Sequence, residues 1–170
     1  MIPAMPAFHL AEVNIALPIE PLDSDRLVDF MAQLDPVNAL ADDSPGFVWR
    51  LQDDTGNNTG IQGFGDDRLI INMSVWESLD ALRAFAYSNR AHLDVLRRRR
   101  EWFERLPVYM VLWWVPAGHL PTVGEAEARL SRLERLGPTP EAFTFRTHFP
   151  PPGAADAGAV RDDRELCPAG

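Results

Sequence analysis

The chain has 170 residues, 46% of them hydrophobic and 24% charged, with a formal net charge of −9. That length suits one domain with a real core, and an acidic chain without a basic tail points away from nucleic acid and from an anionic membrane surface. A single cysteine, Cys167, leaves no intramolecular disulfide and no cysteine-built metal site, no apolar run approaches the ~20 residues of a membrane-spanning helix, and Met1 to Phe8 lacks the basic-then-apolar order of a signal peptide, so the expected location is cytoplasmic.

In chain order, Phe8 to Leu17 reads as a strand ended by Pro18. Asp23 to about Leu40 reads as a helix on the spacing of Leu27, Phe30, Met31 and Leu34, with Asp23 or Ser24 as cap and Pro36 as a kink or a restart. Phe47 to Gln52 is a second strand, and the glycine-, asparagine- and aspartate-rich stretch from Asp53 to Asp67 is a loop. Leu69 to Trp76 is a third strand. Ser74 and Glu77 have capping-box spacing for a helix from Trp76 to Tyr87, and a further helix is expected over Arg90 to Leu106. Val108 to Val115 (VYMVLWWV) is a strand without polar alternation, so both of its faces should be covered. Thr122 and Glu125 cap a helix that presents Ala126, Leu130 and Leu133 and stops at Gly137-Pro138. Glu141 to His148 can form a short edge strand. Residues 1–149 therefore read as one domain, and 150–170, rich in proline, glycine and alanine, as a disordered tail.

This order is βαββαβ, the ferredoxin-like arrangement, in which an α+β domain carries an antiparallel sheet with helices on one face. Strands that are apolar on both faces need cover on the other side. A homodimer packed sheet to sheet, a dimeric α+β barrel, is the simplest source of that cover.

Charge is unevenly spread along the chain. Residues 1–80 hold 14 acids and 3 arginines, net −11; residues 81–170 hold 11 acids and 13 arginines, net +2. Seven arginines lie between Arg83 and Arg105, and a solvated helix face is the plain reading of such a run. A helical wheel over 90–106 divides them. Val95, Leu96, Trp102, Phe103 and Leu106 share one arc, Arg97 and Arg98 lie opposite, and His92 and Arg99 fall inside the apolar arc, seven residues and so about 10 Å apart along the axis. An inward arginine needs an anion, because an unpaired buried charge costs several kcal/mol. The partner is either an acid on the sheet, such as Glu12, or a bound enolate or other anion. His92 is either a core histidine bonded to backbone, a general base, or an axial ligand to an iron cofactor.

Asn72 shares a strand face with Ser74 and Trp76 and can donate to a developing oxyanion. Arg50 points away from Trp49 on its strand. Five tryptophans, Trp49, Trp76, Trp102, Trp113 and Trp114, are many for this length; they either pack the core or line a site for a flat ligand. Trp113 and Trp114 point to opposite faces. The candidate site is thus His92, Arg99 and Asn72 for catalysis, with Trp49, Arg50, Trp76, Trp102, Phe103 and Trp114 as walls for a small hydrophobic or aromatic molecule. No phosphate loop, dinucleotide fingerprint, nucleophile elbow or metal-ligand spacing is present.

The blocks GFVWRLQ (Gly46–Gln52), NMSVWESLDALRAFAYS (Asn72–Ser88), RRREWFERL (Arg98–Leu106), LWWVPAGHLPTVGEA (Leu112–Ala126) and GPTPEAFTF (Gly137–Phe145) resemble the bacterial domain-of-unknown-function family 3291 over about residues 8–146. The segment Val75–His92 is also similar to antibiotic-biosynthesis monooxygenase domains. The resemblance implies the dimeric α+β barrel superfamily and a cavity between sheet and helices. It also implies a choice among cofactor-free oxygenation, isomerisation or cyclisation of metabolites, as in secondary metabolism, with haem as the alternative cofactor and His92 as its ligand. Fold by itself does not choose among these, and a non-catalytic dimeric binding protein is a further option.

Overall fold

The computed structural model describes residues 7–163. Four strands build the main sheet: β1 (Phe8–Ala16), β2 (Phe47–Arg50), β3 (Ile70–Trp76) and β4 (Met110–Pro116). Their spatial order is β2-β3-β1-β4, and every neighbouring pair is antiparallel. That order is the ferredoxin-like one.

The first helical segment starts as a 3₁₀ turn over Asp25–Leu27 and continues as α1 (Val28–Asp42) straight through Pro36. The chain after β3 forms two helices, α2 (Leu79–Ser88) and α3 (Arg90–Trp102), separated by the extended residue Asn89. The cap of α2 is Ser78, whose side chain accepts from the Ala81 amide. It is not Ser74, which lies within β3 and is buried. Asn89 caps α3 by accepting from the His92 amide, and α3 stops at Trp102, four residues before the expected end at Leu106, where Phe103 turns extended and bridges to Pro18. Half of the expected capping box after β4 forms: Thr122 accepts from the Glu125 amide and opens α4 (Val123–Leu136), which ends at Gly137 with φ +72°, while the Glu125 carboxylate turns to Trp113 and His119 instead. Among the described residues no helix is long and apolar enough to cross a membrane.

The two faces of the sheet are covered differently. Leu10, Trp76 and Leu112 face α2, Phe143 and Phe145, and Leu27, Phe30 and Trp102 continue this layer beneath α1 and α3. Ala11, Val13, Met73, Val75, Val111 and Trp113 lie on the opposite face with no exposed surface, packed on Ala126, Leu130 and Leu133 of α4. The loop before β3 completes this cover. Asn58 donates to the Ile71 carbonyl at 2.7 Å, the Phe64 amide donates to Glu127 at 2.6 Å, and a Cβ on Gly63 would stand 2.5 Å from Val123. Helices thus lie on both faces of the sheet, and the face expected to need a partner subunit is buried by the chain's own α4. Trp113 points to α4 and donates to Glu125, whereas Trp114 points to the other side and donates to the Phe149 carbonyl.

Residues 150–163, expected to lack structure, return to the domain. Val160–Arg161 (β6) pairs with Thr147–His148 (β5), and the buried Asp162 meets Arg83 of α2 at 3.0 Å. Residues 164–170, including Cys167, lie outside the described residues.

Candidate active site

Strand alternation places Leu10, Glu12, Asn14 and Ala16 of β1 on the face beneath α1, α2 and α3. The register sets Glu12 beside Ser74 and Asn14 beside Asn72 on β3, and Ser74 in turn beside Arg50 on β2. Glu12 is only 5% exposed. Asn14 Nδ2 donates to its Oε1 at 2.7 Å, Ser74 Oγ donates to Oε2 at 3.1 Å, and Trp76 Nε1 donates to Ser74 Oγ at 2.9 Å. Burial outweighs these hydrogen bonds and pushes the Glu12 carboxyl up to about 7.

The helical layer supplies the opposite wall. His92 Nδ1 lies 2.9 Å from the Ala86 carbonyl, which can only accept, so Nδ1 carries the proton and Nε2 keeps a lone pair. No hydrogen-bond partner reaches Nε2 among the described residues. The ring leans on Phe85, with centroids 4.9 Å apart, and burial holds its pKa below the usual histidine value against the raising effect of the Ala86 bond. Two turns further along, the Arg99 guanidinium lies 4.2 Å over the Tyr109 ring. The surface arginines of the same run find carboxylates, Arg97 with Asp94 and Arg98 with Glu101 and Asp29. Arg99 has no carboxylate partner among the described residues, and Glu12 is held by Asn14 and Ser74 instead.

Between these walls lies a cavity of about 200 Å³. His92, Arg99, Asn72, Arg50, Trp76 and Phe103 all line it. Their situations differ. Asn72 is exposed, at the solvent side, while Trp76 is buried and stacks on Phe85 at 5.2 Å. Phe103 meets Phe30 edge-on at 4.8 Å. Arg50 is already engaged, donating to Asp42 and to the Gly56 carbonyl, so it ties α1 to the loop after β2 rather than offering itself to a ligand. The other three expected wall residues lie elsewhere. Trp49 pairs with Val75 and packs on the α4 side of the sheet, because the β-bulge in β2 leaves Phe47 and Arg50 facing the cavity. Trp102 is buried against Phe30 at the end of α3, and the half-buried Trp114 leans on Phe143.

Asn14 and Ser74, polar strand residues that with Arg50 and Asn72 were candidates to line one cavity, do line it, and so do Glu12 and Tyr109, which were not expected as site residues. Glu12 did carry a signal: it is the one acid in a mostly apolar strand, and Asn14 shares its face two residues on. Among the described residues, no three histidine, cysteine, aspartate or glutamate side chains gather as a metal-binding group.

The chain is therefore an α+β protein of ferredoxin-like topology with a carboxyl, an imidazole and a guanidinium on the walls of one interlayer cavity. It belongs to the family described as a domain of unknown function (DUF3291), which matches residues 9–159. No curated protein matches it. Among solved structures it is similar to SnoaB, a cofactor-independent oxygenase from Streptomyces nogalater, at 17% identity over 67% of this chain and 97% of that one, with a TM-score of 0.44. It is similar to Rv0793 from Mycobacterium tuberculosis at 13% identity, covering 67% and 99% with a TM-score of 0.43. For PA3566 from Pseudomonas aeruginosa the values are 13%, 69%, 97% and 0.42.

Proposed function

We propose that this protein is a small-molecule enzyme of the antibiotic-biosynthesis monooxygenase type, which removes a proton from a hydrophobic or aromatic ligand held between the sheet and its helices, without a cofactor. The observation that carries this reading is the state of His92. Its Nδ1–H is committed to Ala86, and among the described residues its Nε2 lone pair has no protein partner and Arg99, a cation lining the same cavity, has no carboxylate. A neutral imidazole is the form that can accept a proton, and a guanidinium is the group that stabilises the enolate or phenolate so formed. Asn72 stands by as an amide donor at the open side.

Proton removal is the step common to oxygenation, isomerisation and cyclisation. In oxygenation of an activated methylene, the carbanion supplies the electrons that reduce dioxygen; one oxygen atom stays on the carbon as a carbonyl and the other leaves as water. Cavity size bounds the ligand. A dry cavity of about 150 Å³ accepts benzene, so about 200 Å³ suits one or two rings. The same comparison weighs against haem. His92 Nε2 fits an axial ligand, but a macrocycle of several rings exceeds this space, and no step is routed through it.

The test is exchange of the acidic methylene of 2-tetralone in deuterated water, followed by proton resonance. The expected result is exchange well above buffer, lowered ~100-fold or more by His92→Gln and by Arg99→Gln. Wild-type protein that exchanges no faster than buffer overturns the reading.

A further inference from the structure

Glu12 is a buried carboxyl on the cavity wall that the proton step above does not use. It comes from the central strand β1, on the sheet side, whereas His92 comes from α3, on the helical side. A ligand lying between the layers meets the two groups from opposite faces. Among the described residues no cation pairs with Glu12: Arg50 is engaged with Asp42 and Gly56, and Arg99 lies over Tyr109. A charged carboxylate here is uncompensated, and an enolate formed in the same small cavity adds like-charge repulsion to that cost. The carboxyl is thus protonated when an anion forms beside it. With Ser74 Oγ donating to Oε2, and Asn14 Nδ2, which cannot accept, donating to Oε1, the carboxyl's own O–H is open to a further acceptor. The ligand offers one.

We propose that Glu12 is the proton donor of this cavity, acting opposite His92, and that the site relocates a proton within an enolisable cyclic ketone of one or two rings. This rests on His92 as the base. His92 Nε2 takes the proton from the carbon beside the carbonyl, and the C–H electron pair passes into the enolate, whose oxygen Arg99 holds. The far carbon of the resulting dienolate then takes the proton of Glu12, which shifts the double bond into conjugation. Nothing is oxidised or reduced. The imidazolium and the carboxylate left behind return to their starting forms by exchange with water.

The experiment uses cyclohex-3-enone in deuterated water. Exchange at the carbon between carbonyl and alkene reports His92 alone, and the absorbance of the conjugated enone reports completion. Wild type is expected to do both. Glu12→Gln should lower the ratio of isomerisation to exchange by ~100-fold or more, and His92→Gln should lose both. If Glu12→Gln isomerises like wild type, or wild type exchanges without isomerising, the role of Glu12 is overturned while that of His92 stands. If wild type does not exchange at all, both fall.

A measurement on unaltered protein guards against a variant that does not fold. The ratio of isomerisation to exchange should drop as pH rises through about 7, where Glu12 loses its proton. The other ionisable groups on the wall are Arg50, Tyr87, His92, Arg99, Glu104 and Tyr109. His92 enters both rates and cancels from the ratio. A ratio that stays flat from about pH 5.5 to about pH 9 overturns the proposal.

Discussion

Glu12 shows how a single side chain can cost stability where it stands. Its carboxyl rises from the ordinary 4.5 to about 7 because burial penalises the charged form more than Asn14 and Ser74 favour it. The folded state then holds a proton that the unfolded state has released, so stability falls as pH climbs from about 4.5 to about 7 and stays low above that. At about 1.4 kcal/mol per pH unit the penalty reaches roughly 3 kcal/mol. Glu12→Gln should therefore be more stable than wild type by up to about 3 kcal/mol at pH 8, with the gap closing near pH 4. Denaturant titrations at the two pH values check this; an equal difference at both would mean that the carboxyl is not held protonated. His92 works with the opposite sign. Its lowered pKa means that the fold favours the neutral ring, so stability contributed there is lost as pH falls through the ordinary histidine range.

At the scale of elements, the C-terminal segment behaves as a strap. Asp162, 9% exposed, is the carboxylate for Arg83, whose side chain is 16% exposed on α2. Arg83 also donates to the Phe145 carbonyl, so α2, the 143–149 segment and β6 meet at one guanidinium. Asp162→Asn leaves that cation buried without its anion, at a cost of about 3 kcal/mol. The expected outcome is a lower denaturation midpoint together with faster amide exchange across 143–162; an unchanged midpoint would show that the strap contributes nothing. This contact was not legible in the sequence. Composition after Pro150 reads as irregular, and it is irregular except where one buried acid fastens it. Helix ends behaved similarly. Thr122 and Glu125 were legible because their capping contact is local, whereas Ser74 has the same spacing to Glu77 yet lies within β3, paired with Glu12 of β1, a partner 62 residues away.

For the whole molecule, the decisive feature is that one chain covers both faces of its sheet. Leu130 and Leu133 of α4 bury themselves on Val111, Trp113 and Val115. Leu130→Ala should cost about 2–4 kcal/mol through lost burial and the cavity left behind. An unchanged denaturation midpoint in Leu130→Ala would show that α4 contributes nothing to this face.

The sequence by itself determined the periodicities, and these carried the strands, most helix spans, the topology and the inward turn of His92 and Arg99 from the surface of an arginine-rich helix. Such features depend on neighbours within a few residues, where spacing alone sets direction. Only the tertiary structure decided what those side chains meet. It showed that Arg99 is not paired with Glu12, that Trp49, Trp102 and Trp114 stand away from the cavity, and that α4 covers the face a partner was expected to cover. Each of these depends on contacts between residues far apart in the chain, where burial, register and counterion availability are set by the packed whole.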